Sequence, residues 1–162
     1  IADGVVLSAG LSPVFCSASF DHVAEGAAKA GRDPDAIRRA AYLIFAVSED
    51  EKTARDLVRG KLAFLFRNKM LATNIETTGV AVDQEQIIAA ISRRDLAGAT
   101  ALISDEAIDA FAVAGTPGQC HARLDAFEAS GITEPVLMVQ GDEAEQQLAL
   151  AFLRDRVGRT RG

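Results

Sequence analysis

Scarce residue types narrow this sequence before any pattern does. Its two cysteines, Cys16 and Cys120, stand far apart and outside any CxxC spacing. A disulfide framework is therefore not expected, and both read as small buried apolar residues. The two histidines, His22 and His121, have no neighbours at metal-ligand spacing. Zinc chemistry has too few ligands here, so packed or solvated histidines are the expectation. No apolar run approaches the roughly 20 residues of a membrane-spanning helix, and no basic segment followed by an apolar one opens the chain. The expectation is a soluble, cytoplasmic protein.

Positive charge is also scarce, with a net charge of −6. Nucleic acid needs a basic face to neutralise its phosphates, so it is not expected as a partner. The one basic cluster, Arg154, Arg156, Arg159 and Arg161, reads as a solvated tail suited to the negative end of a helix dipole. Phosphate and nucleophile motifs are absent as well: no Walker loop, no G-x-G-x-x-G, no G-x-S-x-G, no H-E-x-x-H. The pairs Asp50-Glu51 and Asp105-Glu106 fall in first turns of helices, where they complement the macrodipole. Nothing nominates a catalytic residue.

What is present is a 49% hydrophobic chain in which short apolar runs alternate with longer amphipathic segments. That alternation is the pattern of βα units on a parallel sheet. The first strand is Gly4 to Ser8, apolar enough to be covered on both faces. Ser12 and Pro13 then supply an N-cap and first position for a helix to Lys29, which Gly31 ends. Asp33-Pro34-Asp35 marks a short helical turn. A second strand spans Ala40 to Val47, and Ser48 with Glu51 forms a capping box for a helix from Glu49 to about Leu71. Thr73 to Val82 is turn-prone, followed by helical patterns over Gln84 to Arg94 and Asp105 to Ala114. Thr116, Pro117 and Gln119 open a helix through Ser130 that buries Cys120, Leu124 and Phe127. Pro135 to Gln140 is the third strand, and Asp142 with Glu145 caps a last helix to about Arg156. The segment 73–114 is expected to be a helical insertion.

Ligands in such folds bind where strands hand over to helices, at the C-terminal edge of the sheet. Four segments qualify: Ser8 to Ser12, Ser48 to Glu51, Gly115 to Gln119, and Gln140 to Asp142. Gly115 and Thr116 place helix N-terminal amides beside a hydroxyl, which suits a phosphate or polar tail or is an ordinary cap. Ser8 and Ser12 either contact a bound ring or satisfy backbone donors. Ser48 and Glu51 read as structural. Arg67, Asn68, Lys69 and Asn74 either line a pocket or form a solvated helix end, the second being preferred.

Four motifs in order carry a resemblance: Ala2-Asp3-Gly4-Val5-Val6-Leu7-Ser8, Ala30-Gly31-Arg32-Asp33-Pro34, Ala114-Gly115-Thr116-Pro117, and Gly131-Ile132-Thr133-Glu134-Pro135-Val136-Leu137. Together the chain resembles the C-terminal half of the luciferase-like family of flavin- or deazaflavin-dependent oxidoreductases. The resemblance implies an α/β fold, part of a (β/α)8 barrel of which these are the sixth to eighth strands. It implies FMN or the deazaflavin coenzyme F-420 as cofactor and a small organic substrate, with Ser8, Ser12, Gly115 and Thr116 as candidate cofactor contacts. The catalytic residues would then lie on earlier strands, and the chain alone would be inactive. Completion of the barrel by an N-terminal half, or association with a second copy, would follow. The alternatives are a non-catalytic barrel subunit and a small freestanding α/β binding domain.

Overall fold

The computed structural model describes residues 2–160, the side chains of Arg159 and Thr160 excepted. Among them are four parallel strands and eight helices. Strand β1 (Gly4–Leu7) is followed by α1 (Pro13–Lys29), β2 (Arg38–Val47) and α2 (Glu51–Phe66). Four short helices come next, α3 (Ala72–Glu76), α4 (Gln84–Ser92), α5 (Leu96–Ala101) and α6 (Asp105–Phe111). The chain ends on β3 (Ala112–Gly115), α7 (Pro117–Ala129), β4 (Glu134–Val139) and α8 (Glu143–Thr160). Single turns of 3-10 helix at Pro34–Ala36 and Lys69–Leu71 complete it.

The expectation of three strands is corrected by β3. Its residues, of which Ala112 to Ala114 were expected to end a helix, instead pair Ile44 with Ala112 through Val47 with Gly115. The register explains why the run is there. Ala40 and Ala41 each pair with both β1 and β4, and Ile44 and Phe45 each pair with both β3 and β4. A strand has only two edges, so β1 and β3 lie end to end along one edge of β2, with β4 along the other. Short β3 thus satisfies the backbone of β2 beyond the point where β1 stops.

Partners across a parallel ladder share a face. One face of the sheet, with Ala41, Leu43, Phe45 and Val47, packs on Cys16 and Phe20 of α1, Leu124 and Phe127 of α7, and Phe152 of α8. The other carries Val6, Ala40, Tyr42, Ile44, Val136 and Met138. Its upper part, Ile44 and Ala46, is covered by a helical layer that includes Val58 and Leu62 of α2, Ile75 of α3, Ile87 of α4 and Ile108 of α6. Its lower part is open: Val6 is 59% exposed, Tyr42 44% and Val136 39%. The first strand is therefore covered on one face only, contrary to the expectation from its apolar run.

Local capping decides most helix starts. Ser12 caps α1 by accepting the Phe15 N–H at 3.2 Å. Helix α2 starts later than expected, because Asp50 and not Ser48 is its cap, accepting from the Thr53 N–H at 2.9 Å and the Thr53 hydroxyl at 2.6 Å. Glu51 instead pairs with Arg55 at 2.8 Å. This helix also stops earlier, at Phe66, where Asn68 accepts the Met70 N–H and caps the next turn. Of the C-terminal arginines Arg154 is exposed as expected, whereas Arg156 is 12% exposed and bridges α8 to Asp125 and Glu128 of α7, each at 2.9 Å. The Arg159 side chain and Arg161 lie outside the described residues.

Candidate functional site

A cavity of about 300 Å³ opens where the covered and open parts of the sheet face meet. Its floor is Tyr42, Ile44 and Met138, side by side on β2 and β4. One wall is the loop Ser8, Ala9, Gly10 and Leu11 that leaves β1, and the roof is Lys61 and Leu65 of α2 with Phe111 of α6. The site forms there because β1 ends at Leu7 and β3 begins opposite Ile44, leaving Tyr42 and Leu43 unpaired on that edge. It lies at the C-terminal edge of the sheet, the position where parallel α/β folds bind ligands. A largely apolar lining with one cation, Lys61, suits a flat organic molecule with a polar edge.

The loop wall is held in an uncommon shape. Ala9 has φ 66° and Gly10 φ 61°, both in the left-handed region. An alanine there is strained, so surrounding structure must fix it. Asn74 of α3 does so: it is 8% exposed, and its Nδ2 donates to the Gly10 carbonyl at 3.1 Å and more weakly to the Ala9 carbonyl at 3.5 Å. Two carbonyls can only accept, which fixes the orientation of the amide. Leu71 packs against Gly10, where a Cβ would come within 3.2 Å of its methyl.

The four candidate contacts separate. Ser8 lines the cavity. Ser12 is buried and its hydroxyl is engaged as the α1 cap. Gly115 and Thr116 do not line this cavity. The Gly115 carbonyl accepts the Ser48 N–H at 3.1 Å, and both the Thr116 N–H and hydroxyl reach Gln119 Oε1, at 2.8 and 3.0 Å. Of the helix-end residues, Asn74 is buried at the loop; Asn68 caps a turn, Arg67 stacks 4.0 Å from the Phe64 ring, and Lys69 is exposed. Tyr42, Ile44, Lys61, Phe111 and Met138 escaped the sequence reading, because they converge from distant segments and carry no local motif. The alternation along β2 could have singled out Tyr42, the one residue of that run with a polar tip.

A second cavity, of about 240 Å³, lies between α7 and α8 beside Val47, Ser48 and Glu49. His121 lines it, stacked 4.4 Å from the Phe152 ring, with Nε2 3.4 Å from Asp155 and Nδ1 3.3 Å from Arg156. These contacts make His121 a packed histidine, while His22 is exposed. No group of three or more His, Cys, Asp or Glu side chains that could hold a metal ion occurs among the described residues. Burial pushes the Cys120 thiol up to about 12 and the Cys16 thiol to about 11, which leaves both as inert core residues.

The luciferase-like monooxygenase family matches residues 1–134. The chain belongs to that family. It is 31% identical over 138 residues to a 5,10-methylenetetrahydromethanopterin reductase of Methanopyrus kandleri, covering 85% of this chain and 39% of the relative. A reductase of the same name from Methanolobus tindarius is 30% identical, over 84% of this chain and 42% of the relative. The solved coenzyme F-420 dependent tetrahydromethanopterin reductase of Methanopyrus kandleri superposes with a TM-score of 0.76 at 29% identity, over 86% of this chain and 40% of that one. An F-420-dependent secondary alcohol dehydrogenase shares the fold at 19% identity and a TM-score of 0.58, over 85% of this chain and 37% of that one. The chain thus spans about two fifths of the length of these relatives. Its α/β fold is part of a luciferase-like (β/α)8 barrel.

Proposed function

We propose that this chain is the C-terminal part of an F-420- or FMN-dependent oxidoreductase, and that the cavity at Ser8 to Leu11 is part of its cofactor and substrate site. The observation that carries this reading is the position of the cavity at the C-terminal rim of the sheet, on the face that a closed barrel turns inward. The residues present fit the planar ring of such a cofactor: Tyr42, Ile44 and Met138 offer a flat apolar floor, and the β1–α1 loop offers a polar edge. The fitting contact among the four sequence candidates is Ser8, at the cavity wall. Ser12, Gly115 and Thr116 would act by shaping the loops around the site, since their polar atoms are engaged in caps. When bound, the cofactor supplies hydride transfer at its ring; this chain's part is to seat the ring, exclude water from one side of it and bring substrate against Lys61 and Phe111.

The likeness to reductases whose names specify F-420 favours the deazaflavin over FMN. The segment 73–114 is read as an insertion whose helices, with α2, roof the site. The open apolar face argues for cover by the remaining strands of the barrel or by a second copy, and against a freestanding small domain. A cytoplasmic location agrees with the absence, among the described residues, of any helix long and apolar enough to cross a membrane. The test is a titration of the intact barrel with F-420 and with FMN, followed by absorbance and fluorescence. Saturable binding of either is expected, and binding of neither would overturn the proposal.

A further inference from the structure

We propose that the loop after β1 is a backbone donor site for a ring carbonyl oxygen of the bound cofactor, with Asn74 as the positioning residue that aims it. The inference rests on the reading of the cavity as a cofactor site and adds to it a named contact. In a trans peptide the N–H points opposite the C=O, and no cis bond occurs among the described residues. The Gly10 carbonyl is held by Asn74 Nδ2 at 3.1 Å and the Ala9 carbonyl faces the same atom at 3.5 Å. Each of these carbonyls belongs to the peptide of the following residue. The N–H groups of Gly10 and Leu11 therefore both point away from Asn74.

What lies on that side is the cavity. Ser8, Ala9, Gly10 and Leu11 line it, whereas Asn74 and Leu71 do not, so the loop stands between them and the ligand space. Neither the Gly10 nor the Leu11 N–H meets an acceptor among the described residues. Both residues are buried, Leu11 to 3% exposure, and a buried donor demands a partner. Two adjacent N–H groups on the same side of a tight turn can both reach one oxygen. The strain at Ala9 would then be stored where the ligand uses it.

The loop and Asn74 are 64 residues apart, so the contact also makes the roof helices answerable for the shape of the wall. The experiment uses the intact barrel with glycine and leucine labelled in their amide nitrogens, titrated with oxidised F-420 and in parallel with FMN. On saturation the amide protons of Gly10 and Leu11 should move downfield and exchange at least tenfold more slowly. In Asn74→Ala the shift should vanish and the Kd should rise tenfold or more, and Asn74→Asp, which turns a carboxylate on the two carbonyls, should behave alike. A cofactor that binds while both amides stay unshifted overturns this inference but not the cofactor reading; a protein that binds neither cofactor overturns both. Should the Asn74 variants fail to fold, the amide shifts of the unaltered protein decide alone.

Discussion

Cys16 and Cys120 are fully buried on the helix-covered side of the sheet, and their chemistry follows from that burial. Loss of solvation lifts the Cys16 thiol from its ordinary 9.0 to about 11, against the opposing pull of a hydrogen bond with Ser130, and the Cys120 thiol to about 12. Two pKa units cut the thiolate fraction about a hundredfold, before any steric protection is counted. At pH 8 a maleimide or disulfide reagent should therefore label the native chain more than about a hundredfold slower than a free thiol, and denaturant should release both cysteines together. Labelling of either in the native state at the free-thiol rate would contradict the packing. These two residues were legible in the sequence, since isolation from other ligands and helical spacing from Leu124 and Phe127 already placed Cys120 in a core. Asn74 was not legible. Its partners are carbonyls of Ala9 and Gly10, which any residue type possesses, so only the folded register discloses the contact. Ser12 was legible as a cap, because its partner is three residues away.

Helices and strands show the same division between local and distant causes. The capping signals at Ser12, at Thr116 with Gln119 and at Asp142 with Glu145 placed α1, α7 and α8 correctly, since each cap is closed within a turn. At α2 two caps competed, and Asp50 prevailed over Ser48 because it gathers both the N–H and the hydroxyl of Thr53. Those hydrogen bonds, the side-chain one first, hold the Asp50 carboxyl below the usual carboxylate range. Because the folded pKa is the lower one, the carboxylate stabilises the helix above the ordinary aspartate pKa of about 3.9 and loses that contribution as pH falls through the depressed value. Asp50→Asn keeps a good cap without the charge, so its melting temperature should fall less steeply with acid below about pH 4 than that of the unaltered chain. Thermal melts at stepped pH check this, and equal slopes would deny Asp50 the role. Strand β3 escaped notice because four residues of Ala-Val-Ala-Gly lack any pattern of their own; the vacant edge of β2 makes them a strand. The roof over the cavity is tied down by Arg55 of α2, which reaches Asp109 of α6 at 2.8 Å while holding Glu51. Arg55→Ala should cost about 1 kcal/mol, or roughly 3 °C in melting temperature for a chain of this size, and more if the roof detaches as a unit. No change in the melt would show that the roof is held by its apolar contacts alone.

At the scale of the whole molecule, the decisive fact is that one sheet has two unequal faces. One face is sealed by α1, α7 and α8 around Phe45 and Phe127, both fully buried. The other face is sealed only where the roof helices reach Ile44 and Ala46, and below them Val6, Tyr42 and Val136 stand open. Strands β1 and β4 each pair with β2 alone, so each also carries an unpaired outer edge among the described residues. Apolar surface of this kind together with free strand edges drives association, and a closed barrel removes both at once. The 162-residue chain prepared by itself should therefore elute as an oligomer and enhance the fluorescence of a hydrophobic dye, whereas the intact barrel should leave the dye dark at equal concentration. Tyr42→Lys with Val136→Glu places charges on the open face, at paired positions of β2 and β4, without touching the sealed one. In the isolated chain this double substitution should shift elution toward the monomer, because each new charge would lose its hydration on association. In the intact barrel the same two charges would be buried in the interior, and folding should suffer by several kcal/mol. Opposite responses of the two forms would establish that this face is the inside of a barrel; an isolated chain that is monomeric and dye-silent from the start would show that the sheet closes in some other way.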